Sequence, residues 1–90
     1  MMRAVVTVIG MDTRGIIAGI SDCLNKRDIN ILDISQQVMD DIFSMVMLVD
    51  LSKSTEELQV VRESLEAKGL ELGVRTHIMH EDLFNSMHRI

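Results

Sequence analysis

The chain has 90 residues, one cysteine and a formal net charge of −5 at pH 7. This length predicts one domain, residues 1–90, whose small core favours association with a second subunit. The negative charge and the absence of Trp and Tyr argue against direct contacts with nucleic acid or an anionic membrane. A single cysteine cannot form an internal disulfide, and no basic and apolar leader opens the sequence, so we expect a cytoplasmic protein.

The first predicted strand covers residues 3–9 and is apolar on both alternating faces, which favours a central position in a sheet. Gly10 interrupts this pattern, and from Ile16 the apolar residues recur at helical spacing. The sequence therefore predicts a strand, a turn and a helix that ends near Arg27 or Asp28. One side of this helix carries its apolar residues: Ile16, Ile17, Ile20, Cys23 and Leu24.

The turn between this strand and helix is the first candidate binding site. Asp12 or Thr13 is placed to cap the free amides of the helix, and Gly15 has no Cβ that would keep a ligand away. Because a helix begins with unpaired amides and a partial positive charge, the turn suits a carboxylate or a phosphate. In the alternative interpretation, Gly10 and Gly15 only allow a tight connection between strand and helix.

A hairpin is predicted from two strand-like runs, residues 29–39 and 42–51, joined by Asp40 and Asp41. A two-residue turn sets the pairing and gives one nearly apolar face: Val38 with Phe43, Gln36 with Met45, Ile34 with Met47, and Leu32 with Val49. The opposite face mixes Asp33, Ser35, Gln37 and Ser44 with Ile31, Met39, Ile42, Val46 and Leu48. We expect a ligand or a second subunit to cover part of that mixed face.

The second helix is predicted to begin at a capping box, in which Ser54 precedes Glu57 by three residues. Apolar residues at 58, 61 and 65 continue it, and Gly69 is predicted to end it. A fourth strand is predicted from Leu70, with alternate residues 70, 72, 74, 76 and 78 on its buried face.

The tail from residue 81 is predicted to form a short helix that must pack on the rest of the protein to be stable. Its apolar face consists of Leu83, Phe84, Met87 and Ile90. The complete order predicts an α+β fold, a ferredoxin-like βαββαβ sandwich with a C-terminal helical extension at 81–90. Both longer helices then cover one face of the sheet, and the uncovered face predicts a homodimer.

Catalytic and metal chemistry have weaker support in this sequence. His77 and His80 fall on opposite faces of the predicted strand and His88 lies in the tail, so we expect no metal site. Cys23 lies on an apolar stripe and is expected to be a buried, unreactive thiol. No serine or cysteine lies beside a recognisable base, so we expect no catalytic residues.

Arg14 supports one alternative enzymatic hypothesis. Acylphosphatases share this fold and hold a phosphoryl group with an arginine-bearing loop in the same turn. The glycine-valine-glutamine-glycine loop of that family is absent from this sequence. A solvent-exposed side chain near the start of a helix is the simpler explanation of Arg14, and we favour it.

Two segments resemble the ACT domain: G-M-D-T-R-G-I-I at residues 10–17 and D-I-N-I-L-D-I-S at residues 28–35. The sequence looks most like the stand-alone ACT proteins of bacteria and archaea, and next like the ACT domains of the glycine-cleavage regulator. The similarity runs over nearly the whole chain and includes the acidic hairpin and the L-F-N-S-M segment of the tail. It implies a domain that binds a small ligand, usually an amino acid, at a subunit interface and regulates a linked or partner enzyme.

The resemblance also implies roles for individual residues. Asp12 and the backbone amides near Gly15 and Ile16 would hold the ligand, and Asn30 would join from the partner subunit. The sequence departs from the family where serine-binding members have a histidine and where a proline commonly precedes the glycine; these positions carry Gly10 and Arg14 here. The predicted ligand-binding residues are Gly10, Met11, Asp12, Arg14, Gly15, Ile16, Asn30 and Ile31, with no cofactor.

The predicted function is a non-enzymatic regulatory module that binds an amino acid or similar metabolite between two subunits and acts on an unidentified partner protein. The alternative is a ligand-independent interaction module that docks a partner on its open sheet face or its terminal helix.

Overall fold

A computed structural model of the chain describes residues 2–11 and 14–87. In chain order, its elements are β1 (Arg3–Met11), α1 (Ile16–Asn25), β2 (Asn30–Met39), β3 (Ile42–Asp50), α2 (Leu58–Leu72), β4 (Val74–His80) and α3 (Glu81–Met87). The strands form one antiparallel sheet in the order β2-β3-β1-β4. The predicted ferredoxin-like fold and the central position of the first strand are confirmed.

The core lies between one face of the sheet and the helices α1 and α2. Val6 is fully buried and pairs with Met47 of β3 and Ile78 of β4, so all three side chains point to this face. The helices contribute buried aliphatic residues such as Ile20 and Leu65 to the same cluster. We call this face of the sheet the helix face and the opposite one the open face.

The structure confirms most of the predicted apolar stripe of α1. Cys23 and the neighbouring apolar residues are buried, but Ile17 is 37% exposed and points away from the core. The helix ends at Asn25, and the following turn closes with Asp28 in the left-handed region at φ 57°. Aspartate tolerates this conformation better than most residues, which explains how the chain reverses there without a glycine.

The predicted hairpin is confirmed, including the turn at Asp40, which adopts a left-handed φ of 56°. Three of the four predicted pairs are present: Val38 with Phe43, Gln36 with Met45, and Ile34 with Met47. The fourth prediction is wrong because a β-bulge at Leu32 shifts the register and pairs Ile31 with Val49.

The two faces of this hairpin are not buried equally. On the helix face, alternate residues of β3 from Phe43 to Val49 are buried, whereas every residue of β2 remains at least partly exposed. The strand β2 forms one edge of the sheet. The helices therefore leave most apolar residues of β2 exposed, and Ile31 alone of the strand is half-buried against the core.

Both predicted ends of α2 are wrong. Glu57 is the N-cap and makes no capping side-chain hydrogen bond, while the Ser54 hydroxyl accepts a hydrogen bond from the Glu56 amide at 3.3 Å. Gly69 is buried inside the helix, and Gly73, with φ 74°, ends it. The end is consequently one turn later than predicted.

The late end of α2 also shortens the fourth strand. Leu70 is a helical residue with 86% exposure, and β4 starts at Val74. From that point the predicted alternation is confirmed, since Val74, Thr76 and Ile78 are buried and Arg75 is exposed. Leu70 and Leu72 have the spacing of alternate residues in a strand, but both belong to the last turn of α2, and Leu70 lies on its exposed side.

The terminal helix α3 packs against β1 and β4. Arg3 donates hydrogen bonds to the Glu81 carboxylate, one of them from Nε at 2.8 Å, and so ties the start of α3 to the start of β1. Of the described residues in its predicted apolar stripe, Phe84 is half-buried, while Leu83 and Met87 are 55% and 63% exposed. Ile90, the last residue of the predicted stripe, lies outside the described residues.

Gly69→Ala tests the contact between α2 and β4. A Cβ at this position would lie 2.8 Å from the Val74 carbonyl oxygen, which is backbone and moves only with the strand. Overpacking of this kind costs about 1–3 kcal/mol, and the better helix propensity of alanine offsets about 1 kcal/mol. The difference is a net loss of up to about 2 kcal/mol, and because the crowded atom belongs to the backbone we expect the upper half of that range in urea unfolding. The control Leu70→Ala, at the exposed next position, should change stability by less than about 0.5 kcal/mol. A Gly69→Ala variant as stable as the wild type would contradict the close contact between α2 and β4.

Glu81→Gln tests the ion pair that anchors α3. The hydrogen bonds from Arg3 hold the pKa of the Glu81 carboxyl below its ordinary value. A lowered pKa in the folded state means that the pair stabilises the fold above the unfolded pKa, about 4.3, and that this contribution is lost as the pH falls through the lower folded pKa. The variant should therefore melt at a lower temperature than the wild type at neutral pH. It should also lose less stability than the wild type when the pH is lowered below about 4.5. Glu66→Gln, on the exposed side of α2, is the control that should keep the wild-type pH profile.

Candidate functional site

Two clefts lie at the two ends of α1. The first, which we call the N-terminal cleft, has a volume of about 430 Å³ and separates the start of α1 from the hairpin end of β2. Its lining residues are Gly15, Ile16, Ile17, Ala18, Gln36, Gln37, Val38 and Phe43. The second, the asparagine cleft, has a volume of about 340 Å³ and is lined by Ser21, Asp22, Asn25, Ile29, Asn30 and Ile31.

The start of α1 provides hydrogen-bond donors to the N-terminal cleft. The Gly19 amide donates to the Gly15 carbonyl at 2.8 Å, which is the first bond of the helical pattern. The amides of Ile16, Ile17 and Ala18 precede that bond and have no partner within the helix. Within residues 2–11 and 14–87, no side chain caps this end. The donors and the helix dipole favour an anionic group in the cleft.

Gly15 keeps this helix end open. It adopts φ 85°, a conformation that favours glycine, and a Cβ built on it would meet nothing within 4 Å. Any side chain at this position would project into open space beside the free amides. The absence of a side chain therefore permits the left-handed backbone conformation and leaves the cleft accessible.

The other predicted residues of the first turn have different surroundings. A Cβ on Gly10 would lie 2.7 Å from Val74 Cγ1, so this glycine allows β1 and β4 to approach closely. Met11 pairs with Ile42 and is 54% exposed on the open face, away from the N-terminal cleft. Arg14 is exposed. Asp12 lies outside the described residues.

Asn30 and Ile31 lie at the opposite end of β2 from the N-terminal cleft. The Asn30 side chain is exposed at the asparagine cleft, and Ile31 is half-buried against the core. Asn30 and Val38 are eight residue steps apart along β2, a distance of about 26 Å. A single chain therefore does not bring Asn30 together with Gly15 and Ile16.

The sequence predictions missed Gln36 as a residue of the N-terminal cleft. Gln36 pairs with Met45 and so lies on the helix face, where it borders the cleft next to Val38. The hairpin register contained a signal for it, because Gln36 is the polar member of an otherwise apolar face. Gln36 is solvent-exposed, so its side-chain amide is accessible to a ligand in the cleft.

Cys23, His77 and His80 lie outside these two clefts. Burial raises the pKa of the Cys23 thiol, although the nearby Arg27 guanidinium opposes this shift, so the thiol is protonated at neutral pH. His77 pairs with Thr7 on the open face, whereas His80 pairs with Ala4 on the other. Among the described residues, no three His, Cys, Asp or Glu side chains form a cluster that could hold a metal ion. No helix in the described part of the chain is long and apolar enough to cross a membrane.

Comparison with known proteins agrees with this architecture. The family model of the ACT domain matches residues 3–79. The chain is 51% identical to a UPF0237 protein of Methanocaldococcus jannaschii over 90 residues, which are 100% of each chain.

Solved structures give the same result. An ACT domain protein from Streptococcus pneumoniae has 37% identity and a TM-score of 0.82, with 97% of this chain and 98% of that chain covered. The regulatory subunit of aspartate kinase from Thermus thermophilus, in a ligand-free form, has 26% identity and a TM-score of 0.66, with 87% of this chain and 50% of that chain covered. The chain therefore belongs to the ACT-domain family, whose domains are regulatory modules for small ligands.

Proposed function

We propose that this protein is a non-enzymatic regulator that binds an amino acid or a similar small metabolite between two identical subunits and acts on a partner protein. We treat residues 1–90 as one ACT domain with a helical extension at 81–90. The observation that carries the proposal is the start of α1, where the amides of the first turn border the N-terminal cleft beside Gly15 and no side chain of residues 2–11 and 14–87 caps them.

The chemistry of the cleft suits an α-amino acid. A carboxylate would accept hydrogen bonds from the amides of Ile16 and Ile17, with the helix dipole adding to the attraction. The ammonium group would pair with Asp12, a role taken from the family resemblance. Gln36 and the apolar Val38 then border the space left for the side chain of the ligand. The cleft volume of about 430 Å³ is within the usual range for a small-molecule site.

The separation of Asn30 from this cleft supports a site shared by two subunits. The strand β2 is an edge strand, with one row of backbone groups facing away from β3. If the β2 strands of two copies pair in the antiparallel direction, the Asn30 end of each lies beside the Val38 end of the other. That pairing would bring Asn30 of the second copy to the cleft formed by Gly15 and Ile16 of the first.

The exposed apolar residues of β2 support the same arrangement. Ile34 and Val38 lie on the helix face, yet they are 39% and 50% exposed. Ile17 on the neighbouring helix is 37% exposed. Edge strands of this kind are normally protected in native proteins, and pairing with a second copy would cover the strand.

A regulatory output agrees with the comparisons. The family model is that of the ACT domain, and one similar structure is a regulatory subunit of a kinase. A non-enzymatic regulator would act by exposing or hiding a surface when the ligand binds. The partner protein would respond to that change in the exposed surface.

A thermal-shift screen of the common amino acids tests ligand binding. A ligand at 100 times its dissociation constant adds about 2.7 kcal/mol to the folded state, which is a readily measured increase in melting temperature. Asp12→Ala should abolish the shift and change apo stability by no more than about 1 kcal/mol, the usual loss for a helix cap. Asp82→Ala, on α3, is the matched control that should keep the shift. If no compound raises the melting temperature of the wild type, the ligand-binding proposal fails and the ligand-independent interaction module takes its place.

Subunit complementation tests whether two chains share the site. Asp12→Ala and Asn30→Ala should each abolish binding when assembled alone. In a mixture refolded together, half of the dimers contain one chain of each kind, and each such dimer has one intact site, so about a quarter of all sites should bind ligand. Calorimetry gives the stoichiometry directly. A mixture that binds no ligand, while each variant remains dimeric, would place the binding site within one chain.

A further inference from the structure

The β2 side of the N-terminal cleft presents one polar side chain to a ligand. Gln36 and Gln37 both border the cleft, but neighbouring residues of a strand point to opposite faces of the sheet. Gln36 pairs with Met45, whose buried side chain lies on the helix face. Gln37 pairs with Ser44, on the open face. The side chain of Gln36 is therefore on the same face as α1, and that of Gln37 is on the opposite one.

The side-chain amide of Gln36 is available to a ligand. The residue is exposed, and its side chain makes no hydrogen bond to another described residue. Gln59, by comparison, donates to Glu63 at 3.2 Å and accepts from Arg62 at 2.7 Å. A primary amide has N–H donors and a carbonyl acceptor, so Gln36 can bind a group that donates and accepts at the same time.

The surroundings of Gln36 in the cleft are uncharged. None of the eight described residues that line the cleft carries a formal charge, and apart from the two glutamines they are apolar residues and a glycine. Val38 and Ile17 border it as exposed side chains, and Phe43 as a buried one. A charged ligand side chain placed here would lose water without gaining a counterion from these residues, which is unfavourable.

The position of the carboxylate decides which part of an amino acid meets Gln36. In the proposed function the carboxylate binds at the amides of Ile16 and Ile17, so the side chain of the ligand extends toward β2. An apolar side chain that filled this space would exclude water from the Gln36 amide and leave it without a partner. A hydroxyl or a carboxamide would instead form hydrogen bonds with it.

We infer that Gln36 is a specificity-determining residue, and that the N-terminal cleft selects an amino acid whose side chain is uncharged and carries a hydroxyl or a carboxamide. This inference rests on the proposed function, because it concerns the same site, and it adds the class of ligand. The carboxylate and ammonium groups are common to all α-amino acids, so the residues that bind them cannot provide this selection.

Matched pairs of amino acids test the selection on the wild-type protein. Calorimetric titrations compare serine with alanine, threonine with valine, asparagine with aspartate, and glutamine with glutamate. In each pair that binds, the hydroxyl or carboxamide member should bind at least about tenfold more tightly, because its competitor leaves a buried amide or a charge unpaired. Equal or tighter binding of the apolar or charged member would overturn the inference.

Gln36→Leu and Gln37→Leu form a matched pair of variants. Both glutamines are exposed neighbours on β2, but only the side chain of Gln36 lies on the face of the cleft. Gln36→Leu should bring the largest affinity ratio found in the wild-type titrations to within about twofold of one, and Gln37→Leu should keep the wild-type ratio. A merely structural effect would weaken both ligands of a pair equally and leave the ratio unchanged. An unchanged ratio in Gln36→Leu would overturn the role of this residue.

The outcomes distinguish this inference from the proposed function. If none of the common amino acids binds the wild type, the proposed function fails and the inference fails with it. If amino acids bind but the tightest of them has an apolar or charged side chain, the site remains and only the class of its ligand is wrong.

Discussion

The burial of β1 between two strands and two helices is the constraint on which the rest of the structure depends. Ala4, Val6 and Val8 are fully buried on the helix face, and each pairs with residues of both β3 and β4. Burying side chains of this kind contributes about 1.5–3 kcal/mol each for the larger ones, so β1 cannot move without losing the core. The two candidate clefts lie away from the buried face of this strand, at the two ends of α1.

The two helices cover only part of the sheet, and this explains where the exposed strand edge and the amides at the start of α1 lie. The helices α1 and α2 bury the helix face of β1, β3 and β4, and leave β2 as an exposed edge. The N-terminal cleft forms where α1 begins beside that edge, so the free amides and the exposed strand border the same space. A ligand site and a subunit contact at this position would therefore have a common physical origin.

Glycines at close contacts account for much of the precise geometry. Gly10 and Gly69 allow β4 to approach both β1 and α2, with Val74 as the neighbour in each case. Gly15 and Gly73 instead adopt left-handed conformations at the start of α1 and at the end of α2. A sequence does not distinguish these two functions of glycine, so the residue pattern predicted that Gly69, and not Gly73, ends α2.

The sequence by itself determined the order of the elements, the hairpin with its acidic turn, and the family motif at residues 10–17, because these depend on local periodicity and turn chemistry. Tertiary structure decided the bulge at Leu32, the later end of α2, and the exposure of Ile17 and of most of β2. It also decided that Asn30 lies at the far end of β2 from Gly15, although both belong to the family pattern. These features depend on which surfaces the helices reach when they pack on the sheet, and that coverage is not contained in the spacing of residues along one strand or helix.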